Sequence, residues 1–366
     1  MKEDILYLIA LTHIHQIGPV NAKILISYCG GAKAVFETSK EKLAKIPGIG
    51  PQKVININQK DIINLAEREC NYMNKHGIDG LSYLDTAYPQ RLKNQEDSPI
   101  ILYKQGNADL NPPRTVGIIG TRSPTENGKI ITQKIINHLA PYNVTIISGL
   151  AYGIDACAHK ASLEAKIPTI GLLGNGLDKV YPSEHRGLQA KMLEKDGALV
   201  SEFHHDTGPD RQNFPMRNRL IAGMSDALIV IESKDKGGSI ITAEYANEYN
   251  KDVFAVPGRY NDEYSAGCNG LIKKHKAYLL ESAKDLLYIM RWDDTPKNKP
   301  VQTSLFLDLT EQEKIVYDFI IAAKESHIDD MAYQLQMPIG SLSSLLLTLE
   351  FKGTIVSLPG KRYKLI

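Results

Sequence analysis

Between residues 115 and 290 the chain alternates short apolar runs with segments of helical periodicity, and this alternation restricts the possible fold more than any other feature. The runs are rich in Val, Ile and Leu, and they comprise residues 115–120, 144–149, 168–174, 197–202, 226–232, 252–258 and 277–282. Strands that are apolar throughout and separated by helices are typical of a parallel sheet covered on both faces. The sequence therefore predicts an α/β fold with an extended, Rossmann-like parallel sheet over residues 106–290.

The segments on either side of this sheet have different patterns. Residues 1–105 show helical periodicity with short loops, which predicts an all-helical N-terminal domain. Residues 291–304 carry Pro and charge but little apolar content and are predicted to be a linker. Residues 305–366 have the element order of a small winged-helix domain. Between residues 301 and 366 there are six Lys/Arg and eight Asp/Glu, so a protein contact suits this tail at least as well as duplex DNA.

The overall composition excludes several classes of protein. The formal net charge of the 366 residues is +1, so any basic surface that binds nucleic acid must be local. The four cysteines are far apart and form no C-x-x-C pair, which argues against a disulfide framework or a zinc ribbon and predicts a cytoplasmic location. No stretch approaches the roughly 20 apolar residues of a membrane span, so no membrane insertion is expected.

The N-terminal segment contains two glycine-turn hairpins. Residues 43–58 form a helix, a Pro-Gly-Ile-Gly turn and a second helix, and residues 14–28 are a weaker copy. Both resemble the helix-hairpin-helix of DNA-binding, SAM-like domains. Gly48 and Gly50 permit a tight turn whose amides can point at a phosphate, and Lys53 adds charge nearby. The alternative is a helical hairpin whose turn merely needs glycine.

The carboxyl ends of the predicted strands are the first place to look for a site, because ligands of open parallel sheets bind there. Glycine or small polar residues recur at these positions before helices, where free amides and the positive helix end attract anions. The candidate residues are Arg122 after the first strand, Ser148 and Gly149 after the second with Lys160 in the helix that follows, and Gly237, Gly238 and Ser239 after the fifth.

Residues 211–219 combine three arginines with one phenylalanine just before the fifth strand. Arg211, Arg217 and Arg219 suit bidentate phosphate contacts, and Phe214 offers a stacking surface among them. A positive groove with an aromatic platform is how proteins hold single strands without sequence preference. In the alternative, the arginines lie on a solvated helix with one bound to a carbonyl or carboxylate, and Phe214 packs into the core.

Familiar cofactor and catalytic motifs are absent. The chain has no G-x-G-x-x-G after the first strand, no P-loop and no G-x-S-x-G elbow. His204, His205 and Asp206 are adjacent, but no third, spatially separate ligand can be identified, so a solvated loop is predicted there. We therefore expect neither a cofactor nor a metal.

Seven motifs occur in a fixed order between residues 117 and 273. They are 117-GIIGTR-122, 148-SGLAYGIDACAHKASL-163, 175-NGLDKVYPSEH-185, 200-VSEF-203, 214-FPMRNRLIAGMSDALIVIES-233, 237-GGSIITAEYANEYNKDVFAVPG-258 and 267-GCNGLIK-273. Together they resemble the DNA-processing protein A family (DprA, also called Smf). The helical N-terminal domain and the winged-helix tail suit the architecture of that family.

The resemblance implies a single-stranded DNA-binding recombination mediator without catalytic activity. Members protect incoming DNA and load the RecA recombinase onto it during natural transformation, displacing single-strand-binding protein, and they work as homodimers. The resemblance also implies that Arg122 and Arg211 line the DNA pocket and that Phe214 contacts a base. The turns at Ser148–Gly149 and Gly237–Ser239 would offer amides to phosphates. Lys160, Arg217 and Arg219 match the basic pattern of the family, and which of them touch DNA is open.

Two other functions are compatible with parts of the sequence. The stretch 237-GGSIITAE-244 resembles the nucleoside-monophosphate phosphoribohydrolases of the lysine-decarboxylase-like group, with Glu244 as the candidate acid. Those enzymes carry Pro where this chain has Lys236, and Ser239–Thr242 replaces their Gly-Thr spacing. A nucleotide-sensing or scaffold protein that holds a partner through its acidic tail is the third possibility.

Overall fold

A computed structural model of the protein describes residues 3–55, 59–293, 309–323, 325–358 and 361–365. The chain divides into two compact units at Asp293. The predicted linker, residues 291–304, lies outside the described residues except for its first three positions. Among the described residues, no helix combines the length and the apolar character needed to cross a membrane.

The N-terminal part of the first unit is helical up to residue 76. Its helices are α1 (Glu3–Thr12), α2 (Pro19–Cys29), α3 (Ala32–Glu37), α4 (Lys40–Leu43), α5 (Gly50–Ile55) and α6 (Gln59–His76). Their apolar faces share one core, in which Ile9, Leu25 and Met73 are almost fully buried. Ile101 and Tyr103 from the sheet belong to the same core, so this helical part packs directly against the sheet.

The described residues contain a large sheet with the strand order β1-β2-β6-β5-β4-β3-β7-β8-β9. The strands are β1 (Asp79–Ser82), β2 (Ile101–Gly106), β3 (Arg114–Ile119), β4 (Val144–Ser148), β5 (Thr169–Leu173), β6 (Ala198–Ser201), β7 (Ala227–Val230), β8 (Asp252–Ala255) and β9 (Tyr278–Leu279). From β6 to β9 all neighbours pair in parallel. The predicted α/β fold with a mostly parallel sheet is confirmed, and each of the predicted runs forms a strand.

The boundary predicted at residue 105 does not coincide with the structure. β1 precedes it and β2 spans it, and the two extend the sheet by antiparallel pairing of β1 with β2 and of β2 with β6. The apolar run 100–103 is too short for its periodicity to distinguish a strand from a buried helical segment. The all-helical part therefore ends at His76 rather than near residue 105.

Helices cover both faces of the sheet. They are α7 (Gln90–Lys93), α8 (Glu126–Leu139), α9 (Ile154–Glu164), α10 (Arg186–Glu194), α11 (Asn213–Met224), α12 (Gly238–Glu248), α13 (Ala266–Lys273) and α14 (Ala283–Ile289). α8, α9 and α14 pack on the face that carries Ile118 and Ile229, whereas α11 and α12 pack on the face that carries Ile119 and Val230. Since α9, α11 and α12 each follow a parallel strand, their N-termini lie at the carboxyl edge.

The second unit has the winged-helix order predicted from the sequence. Its elements are α15 (Glu311–Ala323), β10 (Glu325–His327), α16 (Ile328–Gln334), α17 (Ile339–Phe351), β11 (Ile355–Leu358) and β12 (Arg362–Leu365). The strands pair in the order β10-β12-β11. Val316, Ile320 and Leu346 are fully buried in its core.

Candidate functional site

A cleft of about 330 Å³ opens at the carboxyl edge of the sheet. It lies where the chain leaves β3 and β7 and where α11 and α12 begin. The residues that line it include Thr121, Arg122, Ala151, Asp155, Phe214, Arg217, Asn218, Ser233, Lys234, Lys236, Gly237, Gly238 and Ser239. We call this site the carboxyl-edge cleft.

The carboxyl-edge cleft carries a clear excess of positive charge. Arg122, Arg217, Lys234 and Lys236 line it, whereas Asp155 is the one carboxylate among its described lining residues. Lys236 is exposed, so its ammonium group can reach a ligand, whereas the Lys234 ammonium pairs with Glu263 at 2.8 Å. Cations on several sides of a concave surface raise the local concentration of anions. The cleft is therefore suited to an anionic ligand.

Arg217 forms the floor of the cleft and joins the turn after β4 to the end of β5. The residue is 3% exposed, and its guanidinium donates to the carbonyls of Gly149 and Leu172. A Cβ atom on Gly149 would lie 2.6 Å from the guanidinium carbon of Arg217, so this close approach requires glycine. Burial lowers the pKa of Arg217 to about 10, and nearby Asp155 opposes that shift. Arg217 therefore remains charged near neutral pH.

Arg122 and Phe214 meet at the mouth of the cleft. The guanidinium carbon of Arg122 lies 5.5 Å from the centre of the Phe214 ring, within the range of a cation–π contact. Phe214 stands in the first turn of α11 and is half-buried, with the Tyr181 ring centre 5.5 Å away. The turn that carries Arg122 is fixed by the Thr121 amide, which donates to the carbonyl of Glu232 at 2.7 Å. A charged group and a stacking surface are thus adjacent.

The N-terminus of α12 forms a further wall. Gly237 is the extended N-cap residue, and its amide donates to the carbonyl of Lys234 at 3.0 Å. The amides of Gly238 and Ser239 stand in the first helical turn, where no intrahelical acceptor is available. The Ser239 hydroxyl donates to the Ser233 hydroxyl at 2.7 Å and closes the turn. The positive end of this helix is accordingly directed toward the cleft, as an anion site requires.

Several residues that the sequence singled out lie elsewhere. Ser148 is fully buried and its hydroxyl donates to the carbonyl of Ile118, and the Gly149 amide donates to Asp155 at 3.1 Å. Because both groups are engaged within the protein, neither is available to a ligand in the cleft. Arg211 is exposed just before α11.

Lys160 lines a neighbouring cavity of about 470 Å³ rather than the carboxyl-edge cleft. That cavity shares Arg122 with the cleft and also contains Lys129. Both lysines extend the positive surface beyond Arg122.

Arg219 is directed away from the cleft. Its guanidinium pairs with Glu202, and Nη1 donates to the carbonyl of Asp97 at 2.9 Å. Arg219 and Glu202 are both at least nine-tenths buried, so their pair fastens α11 to the end of β6, and the bond to Asp97 fastens it to the chain before β2. Of the two arginines that the sequence left open, Arg217 lines the cleft and Arg219 braces the helix.

The prediction of a solvated loop at the adjacent histidines is wrong. The His204 ring stacks on His13 and the His205 ring on Tyr72, each with ring centres 4.4 Å apart, and His205 also bonds Glu69. The loop is half-buried because it packs between the helical part and the sheet. Within the described residues, no group of three His, Cys, Asp or Glu side chains could hold a metal ion.

The N-terminal hairpin has the predicted turn. Gly48 and Gly50 adopt left-handed φ angles of 81° and 65°, which favour glycine. The Lys53 ammonium donates to the carbonyl of Gly48 at 2.8 Å and so stabilises the turn itself. Contact of this hairpin with DNA stays a prediction.

Glu244, the acid that the hydrolase alternative requires, is not among the residues that line the cleft. It is exposed on α12, with Oε1 3.7 Å from the Lys276 ammonium.

Sequence reasoning missed Lys234 and Asn218, although Lys234 stands directly after a parallel strand and three residues before Gly237. That position was the available signal.

The fold and the charge of the cleft define a Rossmann-like protein that is suited to an anionic ligand and has an added winged-helix unit. The sequence model of the DNA recombination-mediator protein A family matches residues 80–291, and that of the DprA winged helix domain matches residues 307–361. The chain therefore belongs to the DprA/Smf family of DNA-processing recombination mediators.

Relatives with known names and structures agree with this assignment. The chain is 30% identical over 394 residues to protein Smf of Synechocystis sp., which covers 98% of both chains. It is 39% identical over 213 residues to DNA processing protein DprA of Bacillus subtilis, covering 58% of this chain and 71% of the relative.

Two solved structures of the family share the fold. DprA of Streptococcus pneumoniae superposes with a TM-score of 0.64 at 31% identity, covering 77% of this chain and 96% of that chain. DNA processing protein A of Helicobacter pylori, described for its single-stranded DNA binding mode, superposes with a TM-score of 0.53 at 30% identity. That match covers 59% of this chain and 96% of the Helicobacter chain.

Proposed function

We propose that the protein binds single-stranded DNA in the carboxyl-edge cleft. The observation that carries this proposal is the contact of Arg122 with Phe214 beside the N-terminus of α12. The cations and the helix amides would hold consecutive phosphates, while the Phe214 ring would stack on a base. The single-stranded DNA binding mode described for the Helicobacter relative supports the same ligand.

The depth of the aromatic ring favours single strands over duplex. Phe214 is half-buried inside a concave site, so a base must leave its stack and its pairing partner to reach the ring. Stacking tolerates every base, and phosphate contacts carry no sequence information. At this cleft we therefore expect a strong preference for single strands over duplex and only a weak dependence on base sequence.

The finer role follows from the family. The protein would protect incoming single strands in the cytoplasm during natural transformation, displace single-strand-binding protein and load the RecA recombinase, acting as a homodimer. No reaction is part of this proposal, since the Asp155 carboxylate in the cleft already accepts hydrogen bonds from two amides and Glu244 lies outside it.

A recombinase-loading assay tests the proposal. RecA filaments would be nucleated on DNA coated with single-strand-binding protein, with the wild type, Arg122→Ala and the control Arg68→Ala, an exposed arginine on α6. We expect loading by the wild type and by Arg68→Ala but not by Arg122→Ala. Equal affinity of the wild type for single strands and duplex would overturn the proposal, as would Glu244-dependent release of free base from AMP.

A further inference from the structure

A second aromatic ring is exposed next to the carboxyl-edge cleft. Tyr152 lies in the turn between β4 and α9 and is 40% exposed. It belongs to none of the apolar cores that the described residues form. Packing within the fold therefore does not require an aromatic residue at this position, and the ring is accessible to a ligand.

The turn that carries Tyr152 is fixed against the turn that carries Arg122. The Ile154 amide donates to the carbonyl of Thr121 at 3.1 Å. A Cβ atom on Gly153 would overlap that carbonyl oxygen and would lie 2.7 Å from Cα of Arg122, so this close approach requires glycine. Tyr152 and Arg122 are therefore held side by side at the carboxyl edge.

Two contacts orient the Tyr152 ring. Its hydroxyl donates to Oε2 of Glu184 at 2.7 Å, and the His185 ring packs edge to face against it with ring centres 5.3 Å apart. His185 is itself anchored, with Nδ1 2.9 Å from the carbonyl oxygen of Leu150. A ring that is already held in place loses little conformational freedom when a base stacks on it, which favours binding.

Tyr152 lines two neighbouring concave surfaces. The first is a narrow crevice that it shares with Arg122 and Phe214. The second is the cavity of about 470 Å³ that also contains Lys129 and Lys160, which we call the Lys160 cavity. This volume lies within the usual range of ligand pockets, so the Lys160 cavity is large enough for a nucleobase.

The charge of the Lys160 cavity suits the backbone of a strand that continues from the cleft. Arg122 lines the carboxyl-edge cleft, the crevice and the Lys160 cavity, so it lies where the three meet. Lys160 is exposed, whereas the Lys129 ammonium pairs with Glu126 on the same helix. None of the described residues that line this cavity carries a carboxylate. A strand that leaves the cleft past Arg122 therefore meets a surface that attracts its phosphates.

We propose that Tyr152 stacks on a second base of the bound strand, the neighbour of the base on Phe214, and that Arg122 binds the phosphate between the two nucleotides. This inference rests on the function proposed above and adds a second nucleotide subsite in the Lys160 cavity. Lys160 would contact the next phosphate along the strand. Because stacking accepts every base, the subsite adds affinity without adding a sequence preference.

Three substitutions separate the ring from its surroundings. Tyr152→Ala removes the ring, and it should leave the fold intact because the side chain lies outside the apolar cores. Tyr152→Phe keeps the ring and removes only the hydroxyl that bonds Glu184. The matched control is Tyr288→Ala, at a tyrosine of α14 that is 76% exposed and lines neither the cleft nor the Lys160 cavity.

The measurement compares dissociation constants for a short dT oligonucleotide and for an abasic strand of the same length. We expect Tyr152→Ala to bind the dT strand about tenfold more weakly than the wild type and the abasic strand equally well. Tyr152→Phe should stay within about twofold of the wild type on the dT strand, because a phenyl ring also stacks, and Tyr288→Ala should match the wild type on both strands.

Three results would overturn the second subsite. They are an unchanged affinity of Tyr152→Ala for the dT strand, an equal loss on both strands, and a loss in Tyr152→Phe as large as that in Tyr152→Ala. The second would show that the ring supports the Arg122 turn, and the third that the bond to Glu184 matters rather than stacking. Failure of the wild type to bind either strand would instead refute the proposed function itself.

Discussion

The guanidinium carbon of Arg122 lies 5.5 Å from the centre of the Phe214 ring. Arg122 comes from the turn after β3 and Phe214 from the first turn of α11, so the contact joins two parts of the chain that are remote in sequence. A cation over an aromatic face contributes about 0.5–1 kcal/mol at an exposed site. In the proposed function, the pair puts a charge for a phosphate next to a stacking surface for a base.

Replacing Arg122 by Ala should weaken binding of all single-stranded oligonucleotides by a similar factor, about tenfold at low salt. The reason is that a phosphate contact releases counterions without reading sequence, so the slope of log K against log salt should also fall by about 0.7. Fluorescence anisotropy titrations at several salt concentrations give both quantities. Arg68→Ala should change neither, and an unchanged salt slope in Arg122→Ala would contradict a phosphate contact.

Replacing Phe214 by Ala should cost about 1–3 kcal/mol of binding free energy, because one stacked base is lost. Phe214→Tyr keeps a ring and should bind nearly as well as the wild type. The salt slope should stay the same in both variants, since no charge is removed. A strand with abasic sites opposite the ring provides the control: Phe214→Ala should lose nothing on it, and an equal loss on both strands would exclude stacking.

Arg219→Met should destabilise the fold by about 3–5 kcal/mol, because burial already raises the pKa of Glu202 to about 7 and this carboxyl would then be left buried without its charged hydrogen-bonding partner. The double variant Arg219→Met with Glu202→Leu should recover much of that loss. Urea unfolding followed by the fluorescence of Trp292, the one tryptophan of the chain and a residue of the sheet core, measures both. If folded Arg219→Met failed to bind DNA although Arg122 and Phe214 were intact, Arg219 would be more than a brace.

Acid should destabilise the protein through His159. This residue is fully buried with Nδ1 2.7 Å from the Thr169 hydroxyl, and burial, reinforced by His185 and Arg217, lowers its pKa from 6.5 to about 3. Below pH 6.5 the unfolded chain therefore binds a proton that the folded chain does not. The stabilisation is complete above pH 6.5, falls as the pH drops toward 3, and has decreased by about 2 kcal/mol at pH 5.

His159→Gln removes this titration and isolates its effect. The difference in unfolding free energy between wild type and variant should shrink by about 2 kcal/mol when the pH is lowered from about 7.5 to 5. A difference that stays constant with pH would mean that His159 takes up its proton equally in the folded and the unfolded chain.

The sequence by itself determined the strands from β3 to β9, the winged-helix order and the general location of the cleft. A continuous apolar run between helices can pair its backbone groups and bury its side chains on both faces only in a covered parallel sheet. This prediction therefore depends on local pattern alone. Arg122 and Gly237 could be assigned to the site for the same reason, because each directly follows a strand at the carboxyl edge. The ordered motifs identified the family.

Only the tertiary structure decided which side chains face the ligand. Arg217 and Arg219 are two positions apart on α11 and point in opposite directions, and the sheet beneath the helix selects Arg217 for the cleft. In the same way, the Gly149 amide is occupied by Asp155 only because α9 folds back over the strand end. Such choices depend on which distant atoms lie opposite each group, and contacts between residues far apart in sequence leave no periodic signal in the chain.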